Sequence, residues 1–137
     1  MSDQFVVFTL GEELYAADIE EVLEIRLLEK ITEVPGGAPY LRGMMNLRGK
    51  VIPVFDLAER IGVDIKGKGY KKIVIAEINE KLVGLLVNEV SGVERFDTID
   101  EMPELIAQRG EKGYIKGVKR EDDRLIMILK IGGIFSE

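Results

Sequence analysis

Apolar residues recur along this chain in bursts of five to seven positions, each closed by turn-forming residues. That spacing predicts short β-strands in place of long helices. Phe5–Leu10 reads as a strand, with Gly11-Glu12 turning the chain into Glu13–Ala17. Asp18-Ile19-Glu20-Glu21 has the form of a capping box, in which Asp18 accepts a backbone N–H and Glu21 reaches back. Ile19, Val22 and Leu23 then fall at i, i+3 and i+4, which predicts a short helix with one apolar face. An extended segment over Ile25–Val34 follows and stops at Pro35-Gly36-Gly37. Val51–Phe55 is extended and runs into a second cap, Asp56 with Glu59, opening a helical turn that ends at Gly62.

The clearest hairpin is Ile73–Ile78 with Leu82–Val87, turning at Asn79-Glu80-Lys81. Val83, Leu85 and Val87 point to one face of the second strand, and Leu82, Gly84 and Leu86 to the other. Both faces are apolar, so this strand is expected to be buried on both sides, with Gly84 where something large comes close. Asp97–Ala107 is acidic and interrupted by Pro103, which predicts a loop with at most one helical turn. Tyr114–Lys119 and Leu125–Lys130 form a last hairpin around Glu121-Asp122-Asp123. Gly132-Gly133 in the closing Ile131–Phe135 segment disfavours a helix there. About nine short strands with little helix predict a barrel or a sandwich. No internal repeat stands out beyond the two D-x-x-E caps.

The stretch from Leu41 to Leu57 joins a polar, glycine-bearing segment to a wholly apolar strand. Gly43 and Gly49 allow positive φ and close backbone approach, so they are expected to frame a tightly bent loop. Pro53 lacks a backbone donor, which predicts an edge strand or a bulge. Arg48, between the glycines, carries a planar guanidinium suited to two-pronged pairing with a carboxylate. A shaped loop with one strong donor on a buried strand is a candidate recognition surface; the plainer reading is a hairpin whose Arg48 lies in solvent.

Composition narrows the function classes. A chain of 137 residues is one domain by length, and 46% hydrophobic with 32% charged residues is ordinary for a globular protein. Twenty-five acidic against nineteen basic side chains leave a net charge of −6, which opposes phosphate-backbone binding and adhesion to an anionic membrane. Cysteine and histidine are absent, so disulfides, thiolate chemistry, Cys-ligated zinc and the commonest general base are excluded. The only serines, Ser2, Ser91 and Ser136, have no histidine to activate them. The paired carboxylates Asp56 and Glu59 have a structural explanation as a cap, and the Glu94–Glu104 run reads as a solvated loop. Asp97, Asp100 and Glu101 lack calcium-loop spacing, and no phosphate-binding glycine loop is present. No enzyme, cofactor or metal is therefore expected. No apolar run reaches the roughly twenty residues of a membrane span, and Met1-Ser2-Asp3-Gln4 has no basic lead. The expected location is cytoplasmic. Gly62, Gly67 and Gly69 with Lys66, Lys68, Lys71 and Lys72 predict a flexible, solvated surface loop.

Val22, Val90 and Val93 are apolar residues beside charged ones, a composition suited to protein contacts as well as to plain core packing. Glu24 beside them is a candidate partner for an arginine. Five segments in order also carry a family resemblance: Phe5–Tyr15; Ile19–Arg26; Leu41–Leu57; Val83–Val93; and Gly117-Val118 with Asp123–Leu129 and Ile131. Together they resemble the CheW family of chemotaxis coupling proteins across nearly the whole chain. The resemblance implies a mainly β fold of two small five-stranded SH3-like barrels packed over a shared hydrophobic core, with short helices. It implies a single CheW-like domain over 1–137, divided near 62–72, with strands exchanged between the halves. It implies a non-enzymatic adaptor that couples transmembrane chemoreceptors to the CheA histidine kinase. The partners would be the kinase's regulatory domain and the receptors' cytoplasmic helical tip. The protein would be a monomer outside the signalling array and would be recruited through it to the inner face of the membrane. By position within the motifs, the resemblance implies partner contacts at Val22, Glu24, Gly43, Asn46, Arg48 and Gly49, with Gly84, Val90 and Val93 as a second-half surface. The C-terminal helix usual in the family is weakened here by Gly132-Gly133. The alternative is a small β-barrel that binds nucleic acid, or another interaction module unrelated to chemotaxis.

Overall fold

The structure, a computed structural model, describes residues 3–101 and 114–135. Among them the chain forms β1 (Gln4–Leu10), β2 (Glu13–Asp18), a 3-10 turn (Ile19–Glu21), β3 (Val22–Leu27), β4 (Leu41–Leu47) and β5 (Lys50–Asp56). It continues through α1 (Leu57–Ile61), β6 (Lys72–Ile78), β7 (Lys81–Val87), β8 (Glu89–Arg95), β9 (Ile115–Glu121), β10 (Arg124–Leu129) and α2 (Ile131–Phe135). Residues 102–107 of the acidic loop expected at 97–107 lie outside the described residues.

The strands build two five-stranded sheets, ordered β8-β1-β2-β10-β9 and β3-β6-β7-β5-β4. In each, the ends of the order come back together. Glu24 on β3 contacts Arg48 at the end of β4, and Glu94 on β8 contacts Arg124 at 2.8 Å beside the β9–β10 turn. Each sheet therefore curls into a small barrel around its own core. The first encloses Phe5, Val7, Ala16, Phe96, Ile126 and Ile128. The second encloses Met45, Leu47, Ile52, Val54, Ile73, Ile75 and Leu86.

A third, larger apolar layer lies where the barrels meet. Phe8, Leu10, Tyr15 and Met127 contribute from one side and Val74, Ala76, Val83, Leu85 and Val87 from the other. This explains strands that are apolar on both faces. Val83, Leu85 and Val87 enter the shared layer while Leu86 enters the second barrel, as the period-two pattern implied. Gly84 faces the second barrel's interior, where an added Cβ would lie 3.1 Å from Ile73 Cγ2 and 3.3 Å from Val54 Cγ2.

The two barrels repeat one topology. In each, a lone strand (β3 or β8) is followed by a hairpin (β4–β5 or β9–β10) and a short helix; a second hairpin (β6–β7 or β1–β2) completes the sheet. The registers correspond as well: Val54 pairs with Gly84 in parallel where Ile128 pairs with Ala16. Isolated bridges at Thr32–Met44 and Asp100–Val118 flank equivalent hairpins. The repeat is hidden in the sequence because the first barrel is closed by strands from opposite ends of the chain. The chain changes sheet between β2 and β3 and again between β7 and β8. The glycine–lysine loop at 62–72, the expected point of division, coincides with neither change; it joins α1 to β6 within the run that builds the second sheet.

Several local expectations are corrected. Residues 19–23 do not form an amphipathic helix: only Ile19–Glu21 turn, and Val22 and Leu23 already belong to β3, because pairing with β6 outweighs one helical turn. The extended run ends at Leu27 and not at Val34. The segment from Gly43 to Leu47 is strand, not loop, and the bend is confined to Arg48-Gly49. Pro53 sits on an interior strand, between β7 and β4. It is tolerated because Met44, opposite it, exchanges backbone bonds with Thr32 at 2.8 Å, and pairing with β7 begins only at Val54.

The closing segment does form a helix despite its two glycines. Ile131 and Ile134 are buried in the shared layer, and Phe135 stacks on Phe55 with ring centroids 4.8 Å apart. Tertiary burial thus outweighs a propensity penalty of roughly 1 kcal/mol per glycine. Glu21 packs beside this helix. Burial pushes its carboxyl above the ordinary glutamate value of 4.5, and Asp18 adds to the rise. Lys116 and the backbone amides of Gly132 and Asp18 oppose it. A carboxyl raised on folding binds protons more tightly in the native state, so its contribution falls as pH rises from 4.5 through the raised value. Glu21→Gln should therefore flatten the pH dependence of the unfolding midpoint above pH 4.5 and leave it unchanged below. Thermal melts across that range check this; an unaltered profile would contradict it.

Candidate functional site

The β4–β5 hairpin turns on two residues with positive φ, Arg48 at 50° and Gly49 at 87°, the geometry of a type I′ turn. Asn46 braces it by accepting the Gly49 N–H at 2.8 Å. The turn aims the Arg48 guanidinium at β3, where it donates to Glu24. Glu24 also accepts from Arg26 at 3.1 Å, and Arg26 donates onward to Glu29 at 2.7 Å. The hydrogen bond from Arg48 is the chief cause, Arg26 helping, that holds the Glu24 carboxyl below its ordinary value. The sequence offered Arg48 and Glu24 as separate hooks for a partner; the fold brings them together as one surface pair.

The opposite face of β3 carries an apolar stripe. Leu23, Ile25 and Leu27 alternate outward along β3 at 53%, 39% and 70% exposure, and Val51 on β5 is 60% exposed. Sequence reasoning missed the stripe because it assigned Leu23 to a helix face. Period-two alternation over Val22–Leu27 was the available signal.

The other implied contacts divide. Val93 is half exposed on β8, at 50%. Val22 and Val90 occupy equivalent places on β3 and β8, each half-buried against the shared layer, so core packing accounts for much of their character. Gly43 and Gly84 are both buried, and the fold accounts for each glycine. Gly43 gives way to the Thr32 carbonyl, 2.2 Å from where a Cβ would stand, and Gly84 to side chains of the second barrel's core.

Asp56, the strongest carboxylate candidate for chemistry, is committed to structure. It accepts the Glu59 N–H at 3.0 Å as an N-cap, pairs with Arg42 at 2.9 Å and accepts the Tyr70 hydroxyl. Burial, and then this bond to Asp56, pushes the Tyr70 hydroxyl well above the ordinary tyrosine value. Among the described residues no group of three acidic side chains could hold a metal ion, and no helix is long and apolar enough to cross a membrane. The nucleic-acid alternative is not favoured. Phe5, Phe8, Tyr15 and Phe96, which a base-stacking platform would expose, are all turned inward, and Lys71 is paired with Glu89 at 3.1 Å.

Comparison with known proteins agrees with this arrangement. A probable chemotaxis protein CheW from Rhizobium etli is 31% identical over 137 residues, covering 98% of this chain and 88% of the relative. The chemotaxis protein CheW of Thermotoga maritima is 32% identical, covering 95% of this chain and 85% of the relative. The crystal structure of the scaffolding protein TtCheW from Thermoanaerobacter tengcongensis superposes with a TM-score of 0.88 at 36% identity, covering 100% of this chain and 94% of that one. The model of the CheW-like domain matches residues 4–137, and the chain belongs to that family.

Proposed function

We propose that this protein is a non-catalytic chemotaxis adaptor that couples transmembrane chemoreceptors to the CheA histidine kinase. The observation that carries the reading is that the linked, partly exposed charges Glu29–Arg26–Glu24–Arg48 lie on one face of β3 and the exposed apolar stripe Leu23, Ile25 and Leu27 on the other, on a chain whose relatives are chemotaxis proteins. Exposed aliphatic groups and linked charges carried on the two faces of one end strand suit protein docking, in which the aliphatic groups supply affinity and the charges fix register. The partners are the kinase's regulatory domain and the receptors' cytoplasmic helical tip. Glu24, Asn46, Arg48 and Gly49 form the first contact group; Val90 and Val93 form the second, with Val22 at the margin of the shared layer. The adaptor works in the cytoplasm and gathers at the inner face of the membrane through its receptors. Modest single contacts suffice there, because an array raises effective concentration.

Calorimetric titration with the CheA regulatory domain, and separately with a receptor-tip hairpin, tests the reading. Arg48→Ala or Glu24→Ala should weaken binding about tenfold or more. Neither should move the unfolding midpoint appreciably, because the pair is exposed to solvent. Val90→Asp should also weaken binding, through a charge at the edge of an apolar surface. Unchanged affinity in the folded Arg48 and Glu24 variants would remove the site assignment, and no binding of the parent to either partner would remove the adaptor reading.

A further inference from the structure

We propose that Asn88 is a positioning residue that locks the two barrels at one relative orientation. It stands at the second place where the chain changes sheet, between β7 and β8, and is only 3% exposed. Its carboxamide ties that crossing to two segments far away in sequence. The Oδ1 accepts the Gly11 N–H at 2.7 Å, from the β1–β2 turn of the first barrel. The Nδ2 donates to the Gly69 carbonyl at 2.8 Å and the Lys68 carbonyl at 3.3 Å, in the loop leading into β6 of the second barrel. Its backbone N–H donates to Thr9 at 3.1 Å. The turn and the loop are pressed together, since a Cβ on Gly11 would stand 2.6 Å from the Asp64 carbonyl.

The chemistry of the side chain matters here. A carboxamide offers an acceptor and two donors at once; aspartate would offer only acceptors and leucine neither. Buried polar groups bonded on every side give directional restraint that apolar packing lacks. The internal repeat shows that the fold itself does not demand this residue. Carrying the β6–β7 register onto β1–β2 places Glu20 at the equivalent position, and Glu20 is exposed. At that first crossing Asp18 accepts the Glu20 N–H at 2.9 Å, a local bond, and Glu21 accepts from the Gly132 backbone amide of α2. The second crossing thus carries a carboxamide that ties a turn of one barrel to a loop of the other, where the first carries the exposed Glu20.

The clamp bears on function because the two contact groups sit on different barrels, with Val90 only two residues beyond Asn88. That consequence rests on the adaptor reading; the clamp does not, and its test requires no partner. Residual dipolar couplings and amide exchange by NMR on the full chain provide it. In the parent, the Gly11 amide should exchange at least about a hundredfold more slowly than its intrinsic rate, as a buried bonded amide does. In Asn88→Ala that protection should disappear. The couplings of each barrel should still fit its own structure while no longer fitting one fixed orientation between them. Asn88→Asp, which keeps the acceptor, should retain Gly11 protection within about tenfold and release only the loop around Lys68 and Gly69. An unprotected Gly11 amide in the parent would overturn the proposal, as would Asn88→Ala couplings that still fit the parent orientation. Should the alanine variant not fold, the parent and Asn88→Asp decide between these outcomes.

Discussion

Replacing Gly43 by alanine should lower the unfolding free energy by about 3 kcal/mol or more. The residue has φ of +151°, where side chains are strained, and its new methyl would stand 2.2 Å from the Thr32 carbonyl oxygen and 2.7 Å from the carbonyl carbon. Those are backbone atoms, and they cannot step aside cheaply. Thr32 and Met44 exchange two hydrogen bonds at 2.8 Å, so yielding would break the bridge that covers β4. Gly49→Ala is the matched control, with positive φ of +87° but no atom within 4 Å of a Cβ. It should cost only the conformational term, about 1 kcal/mol. Denaturant titration of both variants measures the difference; equal losses would mean that the approach of Thr32 is not what selects glycine.

Truncating Leu85 to alanine should cost about 3–4 kcal/mol, within the usual range for a buried leucine. Leu85 is 1% exposed and lies in the layer shared by both barrels, where Phe8 and Tyr15 come from one sheet and Val74 and Val83 from the other. The void would be hard to close, because each wall is a sheet held by its own backbone ladder. Since the layer belongs to both barrels, unfolding of parent and variant should remain a single transition, with secondary structure and tyrosine fluorescence lost together. Leu125→Ala, at 41% exposure, should change stability little. A Leu85→Ala loss no larger than that of Leu125→Ala, or two separated transitions, would contradict a common core.

Where the physics is local, the sequence was legible. The β6–β7 hairpin was readable from its apolar runs and the intervening Asn79-Glu80, both at positive φ. The Asp56 cap was readable because its partner, the Glu59 N–H, is only three residues away. The burial of β7 on both faces followed from its unbroken apolar run, which is a property of one segment. The Glu24–Arg48 pair was half legible: both residues were singled out, but their mutual contact spans two strands that meet only when the sheet curls.

Composition and periodicity by themselves determined that this is a β-rich domain of short hairpins with no catalytic histidine or cysteine. Family motifs added the adaptor class. Only the tertiary structure decided where those hairpins go. β1 acquires neighbours from residues 89–95, and β2 pairs with β10 from the far end of the chain. Such pairings leave no local trace because they are fixed by the complementarity of faces distant in sequence. The same is true of α2, whose glycines disfavour a helix until Ile131, Ile134 and Phe135 find the shared layer and Phe55. Gly43 looks in sequence like a surface turn residue and becomes an interior position for the same reason. What stands opposite a glycine is set by a strand elsewhere in the chain, and only folding brings that strand within reach.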